Sequence, residues 1–333
     1  MKMATKVQKL QERMNKIPLF RDVLNGSTLS ALIALVIICI VMAFVSPYYL
    51  TGGNFKSIGL YAAIIGIMGA GATVPMLMAG LDLSQHALAA LATVVIAIFI
   101  QQLSLPFGVA LLAALAVGVA GGALNGLLIA VCKMPPMIAT MGTQYVIRGI
   151  CYILTEAKTL LFTDKALTFI GRGSLLGIPN SILIMVLVFL VIGYVLQKTP
   201  YGRAVYAVSS NEKASYLSGI SPVRTKMIAY IICGVCSVLG GVITVSQVGA
   251  AVPSSGVGSE MEIIASVYLG GVAATGGRGT VVGTFLGVMV ICCINNGLTL
   301  AGVQSYWQTM VRGIVILVAI YMDTLRTRNS QQG

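Results

Sequence analysis

The sequence predicts an all-α polytopic membrane protein with about ten transmembrane helices and an inverted internal repeat. Three observations carry this. Apolar runs of spanning length follow one another with short breaks, the few charges sit between those runs, and short blocks recur in the same order in both halves of the chain. Of 333 residues, 57% are hydrophobic, only 9% are charged and 38 are glycine. Soluble domains carry roughly 25% charged residues. A chain this poor in charge cannot cover a globular surface with polar groups, whereas lipid-facing helices need none.

Each span needs about 20 apolar residues for a hydrocarbon core of roughly 30 Å, which leaves no room for a second soluble domain. Runs bounded by turn residues and charges place spans at Leu29–Val45, Ser57–Ala79, Ser84–Gln101, Phe107–Val131, Met137–Thr155, Pro179–Leu196, Lys226–Gln247, Met261–Thr275, Val281–Leu300 and Trp307–Met322. Helix breakers threaten two of them. Gly52, Gly53, Gly66, Gly69, Gly71 and Pro75 at the second, and Pro253, Gly256 and Gly258 before the eighth, are placed to break a helix or make it re-entrant. Residues 1–27 are expected to form a cytoplasmic amphipathic segment, with Val7, Leu10, Met14 and Ile17 on one helical face and Lys6, Lys9, Arg13 and Lys16 on the other. Such a segment lies along the inner membrane surface, and its length before Leu29 argues against a cleaved signal peptide. Residues 28–323 then form the transmembrane domain, with a long inner loop at about 197–225, and 324–333 a cytoplasmic tail.

Orientation follows from the bias of Lys and Arg toward inner loops. With the N-terminus inside, fifteen fall in inner segments and four, Lys56, Lys158, Lys165 and Arg172, in outer ones, so both termini are expected in the cytoplasm. That bias and anionic lipid explain the net charge of +12 without nucleic acid. The seven cysteines lie in or at the ends of spans, where free structural thiols are expected, and Cys233-Ile-Ile-Cys236 lacks the partners a metal or redox site needs.

The repeat appears as Asn125-Gly-Leu-Leu-Ile-Ala130 in the fourth span and Asn296-Gly-Leu-Thr-Leu-Ala301 in the ninth, followed by Arg148-Gly149-Ile150 and Arg312-Gly313-Ile314. Steps of G-x-x-x-G accompany both copies, at Gly118, Gly122 and Gly126 and at Gly279, Gly283 and Gly287, and would let helix backbones approach closely. An offset of five spans runs the copies in opposite directions, a signature of transporters that alternate access. Ionisable groups are scarce within spans: Asp82, Glu260, Glu262, Arg148 and Arg312 fall at or near span ends, and no Asp/Glu/His relay stands at a span centre. Ion-coupled transport is therefore the weaker alternative, and energy supplied by another subunit the stronger. No nucleophile–base pair or metal cluster supports an enzyme, and no G-x-x-x-x-G-K-[ST] supports nucleotide binding by this chain.

An energy-supplying subunit needs a docking surface. In the inner loop, Ser210–Gly219 reads as a short helix, with Asn211 or a neighbouring Ser as cap, Gly219 as left-handed stop, and Tyr216 and Leu217 as exposed apolar knobs. Asn211, Glu212, Ala214, Tyr216, Leu217 and Gly219 are the candidate coupling residues.

Five ordered blocks resemble one family: Ala79-Gly-Leu-Asp82-Leu-Ser84; Met134-Pro-Pro-Met-Ile-Ala-Thr-Met-Gly142 with Arg148-Gly149; Asn211-Glu-Lys-Ala with Leu217-Ser-Gly-Ile220; Leu269-Gly-Gly271 with Gly276-Gly-Arg-Gly279; and Asn295-Asn-Gly-Leu298. Over nearly its whole length the chain resembles the permease subunits of bacterial ABC importers of the ribose and galactose class. The resemblance implies a homodimer or heterodimer of such subunits in the bacterial inner membrane, two cytoplasmic ATPases that hold the ATP and Mg, an extracytoplasmic sugar-binding protein, and a fold like that of the vitamin-type (type II) ABC importers. This chain would carry no cofactor. Passage of a sugar calls for weak hydrogen bonding, so Asn125, Gln144, Asn295 and Asn296 are candidate path-lining residues, with helix-to-helix hydrogen bonding as the rival role. Asp82 either lies near the path or caps a helix beside Ser84. Three departures from the family pattern bear on substrate and partner choice: Gln85-His86 for a small pair, Ser209-Ser210 for Gly-Gly, and Ser259-Glu260-Met261-Glu262 for Tyr-Glu-Leu-Asp.

Overall fold

The computed structural model describes residues 26–331, so the amphipathic face expected at Val7 to Ile17 lies outside the described residues. Helix α1 (Gly26–Val45) is apolar on every side, and Ile33, Ile37, Ile40 and Phe44 stand exposed, as a helix facing lipid requires. Thr51 caps α2 (Gly52–Met76) by accepting from the Asn54 N–H. The threatened second span is one unbroken helix: Gly66, Gly69 and Gly71 are buried against neighbours, Gly52 and Gly53 open its first turn, and Pro75 falls in the last turn, where the helix stops anyway. Helices α3 (Gln85–Ala97) and α4 (Phe107–Gly126) each run on into a π-helical turn, Ile98–Gln102 and Leu127–Val131. Then follow α5 (Pro136–Thr155), α6 (Lys165–Arg172), α7 (Asn180–Lys198), α8 (Pro200–Ser210), α9 (Glu212–Leu217), α10 (Pro222–Val248), α11 (Glu260–Leu269), α12 (Val281–Leu300) and α13 (Ser305–Gln331). Helix α13 continues through positions expected to form a C-terminal tail. The all-α expectation holds apart from four two-residue strands. β1 (Leu160–Leu161) pairs antiparallel with β4 (Ala250–Ala251), and β2 (Ser174–Leu175) with β3 (Ile178–Pro179).

Helices α2, α3 and α10 form the buried centre; α10 packs along α4, α2 and α3, while α12 packs on α11, α1 and α2. Lipid offers no hydrophobic drive for helices to associate, so close packing must supply it. Two glycine rows do so. A Cβ on Gly122 would strike the Tyr230 carbonyl oxygen of α10, and one on Gly287 would strike the Ser266 carbonyl oxygen of α11; Gly118 and Gly126 of α4 and Gly283 of α12 make similar approaches. Gly279 departs from the expected helical step. It precedes α12 with φ +148°, and a Cβ there would meet Val272.

Among the described residues, seven helices are long and apolar enough to cross a membrane: α1, α2, α3 and α4 with their π turns, α7, α10 and α12. Expected spans five and ten exist as α5 and within α13, but α5 carries Gln144 and Arg148 and α13 carries Arg312, and neither is among the seven. The expected eighth span, Met261–Thr275, is instead a ten-residue helix followed by an irregular glycine-rich segment. At 1.5 Å per residue α11 covers about 15 Å, half a bilayer core. Helix α10 starts beside α8, where the Tyr201 hydroxyl donates to the Thr225 carbonyl at 3.1 Å, and the segment leading into α12 meets the other end of α8. The chain between α10 and α12 must therefore return to the side it left, as an irregular, turn-rich stretch plus a half-length helix. Cys132 also departs from expectation: it is exposed, whereas Cys151, Cys233, Cys236, Cys292 and Cys293 are free and buried.

Candidate functional site

On the face that carries α8 and α9, short elements are tied into one unit. The Asn211 Oδ1 accepts from the Ala214 N–H at 2.9 Å and starts α9. Gly219, at φ +84°, turns the chain out of it, a conformation that costs other residues roughly 1–2 kcal/mol. Tyr216 and Leu217 are 69% and 78% exposed. A six-residue helix is not stable by itself, and Glu212 clamps this one, accepting from Lys226 at 2.6 Å and lying 3.8 Å from Lys133. The Lys226 hydrogen bond, helped by the charges of Lys226 and Lys133, holds the Glu212 carboxyl below the usual carboxylate range. Helix α8 makes the inward connection. The Ser209 hydroxyl donates to the Leu77 carbonyl at the end of α2 and accepts from the Gly277 N–H at 2.5 Å, while Tyr206 donates to the Gly279 carbonyl at 3.0 Å.

Deeper in the bundle, Asp82 shapes the start of α3: its Oδ1 accepts from the Ser84 N–H at 2.8 Å and the Ser84 hydroxyl at 2.6 Å. Asn125, 0% exposed, donates to the Ser84 hydroxyl at 2.8 Å and accepts from Thr143 at 2.7 Å. Asp82 thus shapes the turn into α3, and Asn125 links α3, α4 and α5; both are buried. Gln144 of α5 donates to Glu260 at 2.8 Å, Arg148 donates to the Pro253 and Ser255 carbonyls at 2.6 and 2.9 Å, and the His86 ring lies 3.2 Å from the Ser259 carbonyl. Together they brace the irregular segment before α11 from α3 and α5.

Asn295 and Asn296 meet different surroundings. Both line a cavity of ≈250 Å³ between α2, α12 and α13, along with Ser57, Tyr61, Thr299 and Arg312. Asn296 donates to Asn54 at 2.8 Å. Arg312 is ion-paired with Glu262, whose other oxygen accepts from the Tyr61 hydroxyl at 2.5 Å. Glu262 stands in the first turn of α11, at a helix end as expected, yet it is buried, at 3% exposure. A larger cavity of ≈360 Å³ lies between α1, α11, α12 and α13, but apart from Ser30 and Tyr268 its walls are Ile33, Ile37, Val290, Val318 and similar apolar groups. The smaller one holds the chemistry.

The described structure thus joins a solvent-exposed short helix, tied to the ends of α2 and α12, with a polar chamber between helices. A model of the family described as the permease component of branched-chain amino acid transport systems matches residues 54–320. The chain belongs to this permease family. It is similar to the ribose import permease proteins of Bacillus subtilis (strain 168), 38% identical over 89% of this chain and 92% of that protein, and of Escherichia coli (strain K12), 38% identical over 88% and 92%. The D-allose transport system permease protein of Escherichia coli (strain K12) is 34% identical over 87% and 90%. No solved structure matches the chain. The permease is a polytopic helical membrane protein, as expected. Sequence reasoning missed Ser57, Tyr61, Thr143 and the burial of the Glu262–Arg312 pair. An arginine inside an apolar run was the available signal for Arg312; nothing local named its partner 50 residues away.

Proposed function

We propose that this chain is the non-catalytic membrane-spanning subunit of an ATP-driven importer that moves a monosaccharide into the bacterial cytoplasm. It works as a dimer of permease subunits with separate cytoplasmic ATPases, which hold ATP and Mg, and an extracytoplasmic sugar-binding protein. The observation that carries the reading is near-full-length identity of 34–38% to permeases named for ribose and allose. The family description names branched-chain amino acids instead. The amide and hydroxyl groups around the smaller cavity match sugar hydroxyls better than an aliphatic side chain.

In this reading the segment 249–280 is one crossing, so that with α5 and α13 the bundle crosses ten times and both termini lie inside. The repeat supports the same topology. Two long central helices, α2 and α10, are each followed by an irregular segment and a second helix, α3 or α11. The segments enter from opposite sides and meet at His86 and Ser259.

ATP drives the cycle through the residues proposed for coupling, Asn211, Glu212, Ala214, Tyr216, Leu217 and Gly219. ATPase closure presses on Tyr216 and Leu217. The load passes through Glu212 to Lys226 on α10 and Lys133 beyond α4, and through Ser209 and Tyr206 to the Gly277–Gly279 turn and the end of α2. That tilts the two halves and opens the path to the loaded binding protein; hydrolysis resets it. The Glu262 carboxylate is neutralised by Arg312, so it does not act as a free proton carrier.

The test is uptake by the purified permease reconstituted in proteoliposomes with its ATPase and binding protein. ATP-dependent D-ribose or D-allose entry is expected. Uptake that survives without ATP and collapses with an ionophore would replace this reading with ion-coupled transport. Gly219→Val should leave the bundle folded but abolish stimulation of the ATPase; full transport by that variant would remove α9 from the docking role.

A further inference from the structure

We propose that the cavity between α2, α12 and α13 is a receiving site for a neutral polyhydroxylated solute, formed within a single subunit. The inference rests on the sugar-import reading and names where in the chain the sugar is first held.

Position is the first argument. Ser57 and Tyr61 lie in the first turns of α2, Asn295 and Thr299 in the last turns of α12, and Arg312 in the second turn of α13. At 1.5 Å per residue these positions lie within about 14 Å of their helix ends. All three ends are on the side opposite α8 and α9, the outer face in the proposed orientation, where a binding protein releases its cargo.

Unmet hydrogen bonding is the second. Buried polar atoms in folded proteins almost always have partners. Six buried side-chain nitrogen or oxygen atoms among the described residues have none, and three belong to this one cavity: Asn295 Oδ1, Asn296 Oδ1 and Arg312 Nε. These three atoms have almost no open surface, so they meet a ligand only when their side chains turn toward the space; two acceptors and one donor then suit a ligand that both donates and accepts, which is what a hydroxyl does.

Charge narrows the class. An anion would have to displace Glu262 from Arg312 and face two amide oxygens; a cation would face Arg312. A neutral polyol meets neither conflict. The walls are also held in advance of binding, Asn296 by Asn54, Gln308 by the Val303 carbonyl and Arg312 by Glu262. Ile58 and Cys292 supply an apolar patch for the C–H face of a ring. The ≈250 Å³ volume equals about eight waters at about 30 Å³ each, enough for one small sugar.

The experiment uses the full reconstituted assembly with exposed Cys132 replaced by Ser. Ser57→Cys and Thr299→Cys, both at exposed positions on the cavity wall, are modified with a small methanethiosulfonate reagent in the presence of D-ribose, L-leucine or neither. D-ribose is expected to slow modification at both positions several-fold and L-leucine to leave it unchanged. Asn295→Leu should raise the D-ribose concentration needed for protection by about tenfold, the loss of about one hydrogen bond. If the assembly imports D-ribose but D-ribose protects neither cysteine, the cavity holds only water and the proposal falls while the importer reading stands. Protection by L-leucine alone would overturn the polyol assignment. An assembly that imports no sugar overturns the functional reading and this proposal with it. The protection measurement keeps Asn295 intact, so it decides even if Asn295→Leu fails to fold.

Discussion

Asn125 on α4 and Asn295 on α12 stand one position apart when the two stretches that share the pattern N-G-L-x-[IL]-A are aligned, and both are nearly inaccessible, at 0% and 8% exposure. The first is fully engaged, by Ser84 on one side and Thr143 on the other. The second leaves its side-chain oxygen without a partner and borders a polar chamber. The region around Asn125 has thus closed its polar groups on themselves, while the region around Asn295 holds them apart around a space and adds an ion pair beside it. The difference teaches that a repeated motif fixes where a side chain sits on its helix, and the helices packed against it decide whether it is glue or lining. Around Asn125 those helices bring short hydroxyls within reach; around Asn295 they bring Tyr61, Arg312 and empty volume.

The comparison breaks most visibly at the ion pair. Arg312→Met leaves Glu262 charged, buried and served by Tyr61 alone, and should cost about 3–5 kcal/mol. The double variant Arg312→Met with Glu262→Met should recover most of that loss. Thermal unfolding of the purified protein in one detergent measures both; a single variant as stable as the double would show that burial does not make this pair matter.

Next come the two asparagines. Asn125→Leu removes the hydrogen bonds to Ser84 and Thr143, which keep only those to Asp82 and the Thr140 carbonyl, and should destabilise by about 1–3 kcal/mol, whereas Asn295→Leu removes an acceptor that had no partner and should be neutral or stabilising. Equal losses in the same unfolding assay would erase the distinction between the two regions. The smallest effect belongs to the exposed clamp. Glu212→Gln should cost at most about 1 kcal/mol, because its partners are partly solvated. The Glu212 carboxyl is held low in the fold, so its contribution is complete above the unfolded carboxylate value of about 4.3 and fades as pH falls through the lower folded value. Added salt should weaken it in the wild type and leave the variant unchanged; ATPase stimulation measured across salt concentrations reads this out.

Much of the fold was legible because hydropathy is local. Seven spans follow from runs of apolar residues alone, and Asn211 and Gly219 announced the ends of α9 through cap and turn chemistry that acts within a few residues. What stayed hidden depends on distant parts of the chain. The run from Met261 to Thr275 is apolar enough in sequence, yet α11 stops at Leu269 because the chain must bend at Gly270 and Gly271 to pass close to Gly283. Gly279 kept the four-residue step but sits in a loop. The repeated asparagines gave no hint that one would be glue and the other lining, since Ser84, Thr143, Tyr61 and Arg312 come from other helices.

The half-length of α11 also constrains how this chain is made. Insertion machinery recognises stretches of about 19–20 apolar residues, and a ten-residue helix opening with Glu260 and Glu262 is too short and too acidic to partition into lipid by itself. It must be carried in by neighbours that emerge later. Arg312, the partner that neutralises Glu262, follows 50 residues behind, a delay of roughly 3–10 s at synthesis rates of about 5–20 residues per second. For that interval Glu262 is without its counter-charge, and the synthesis of α13 supplies it.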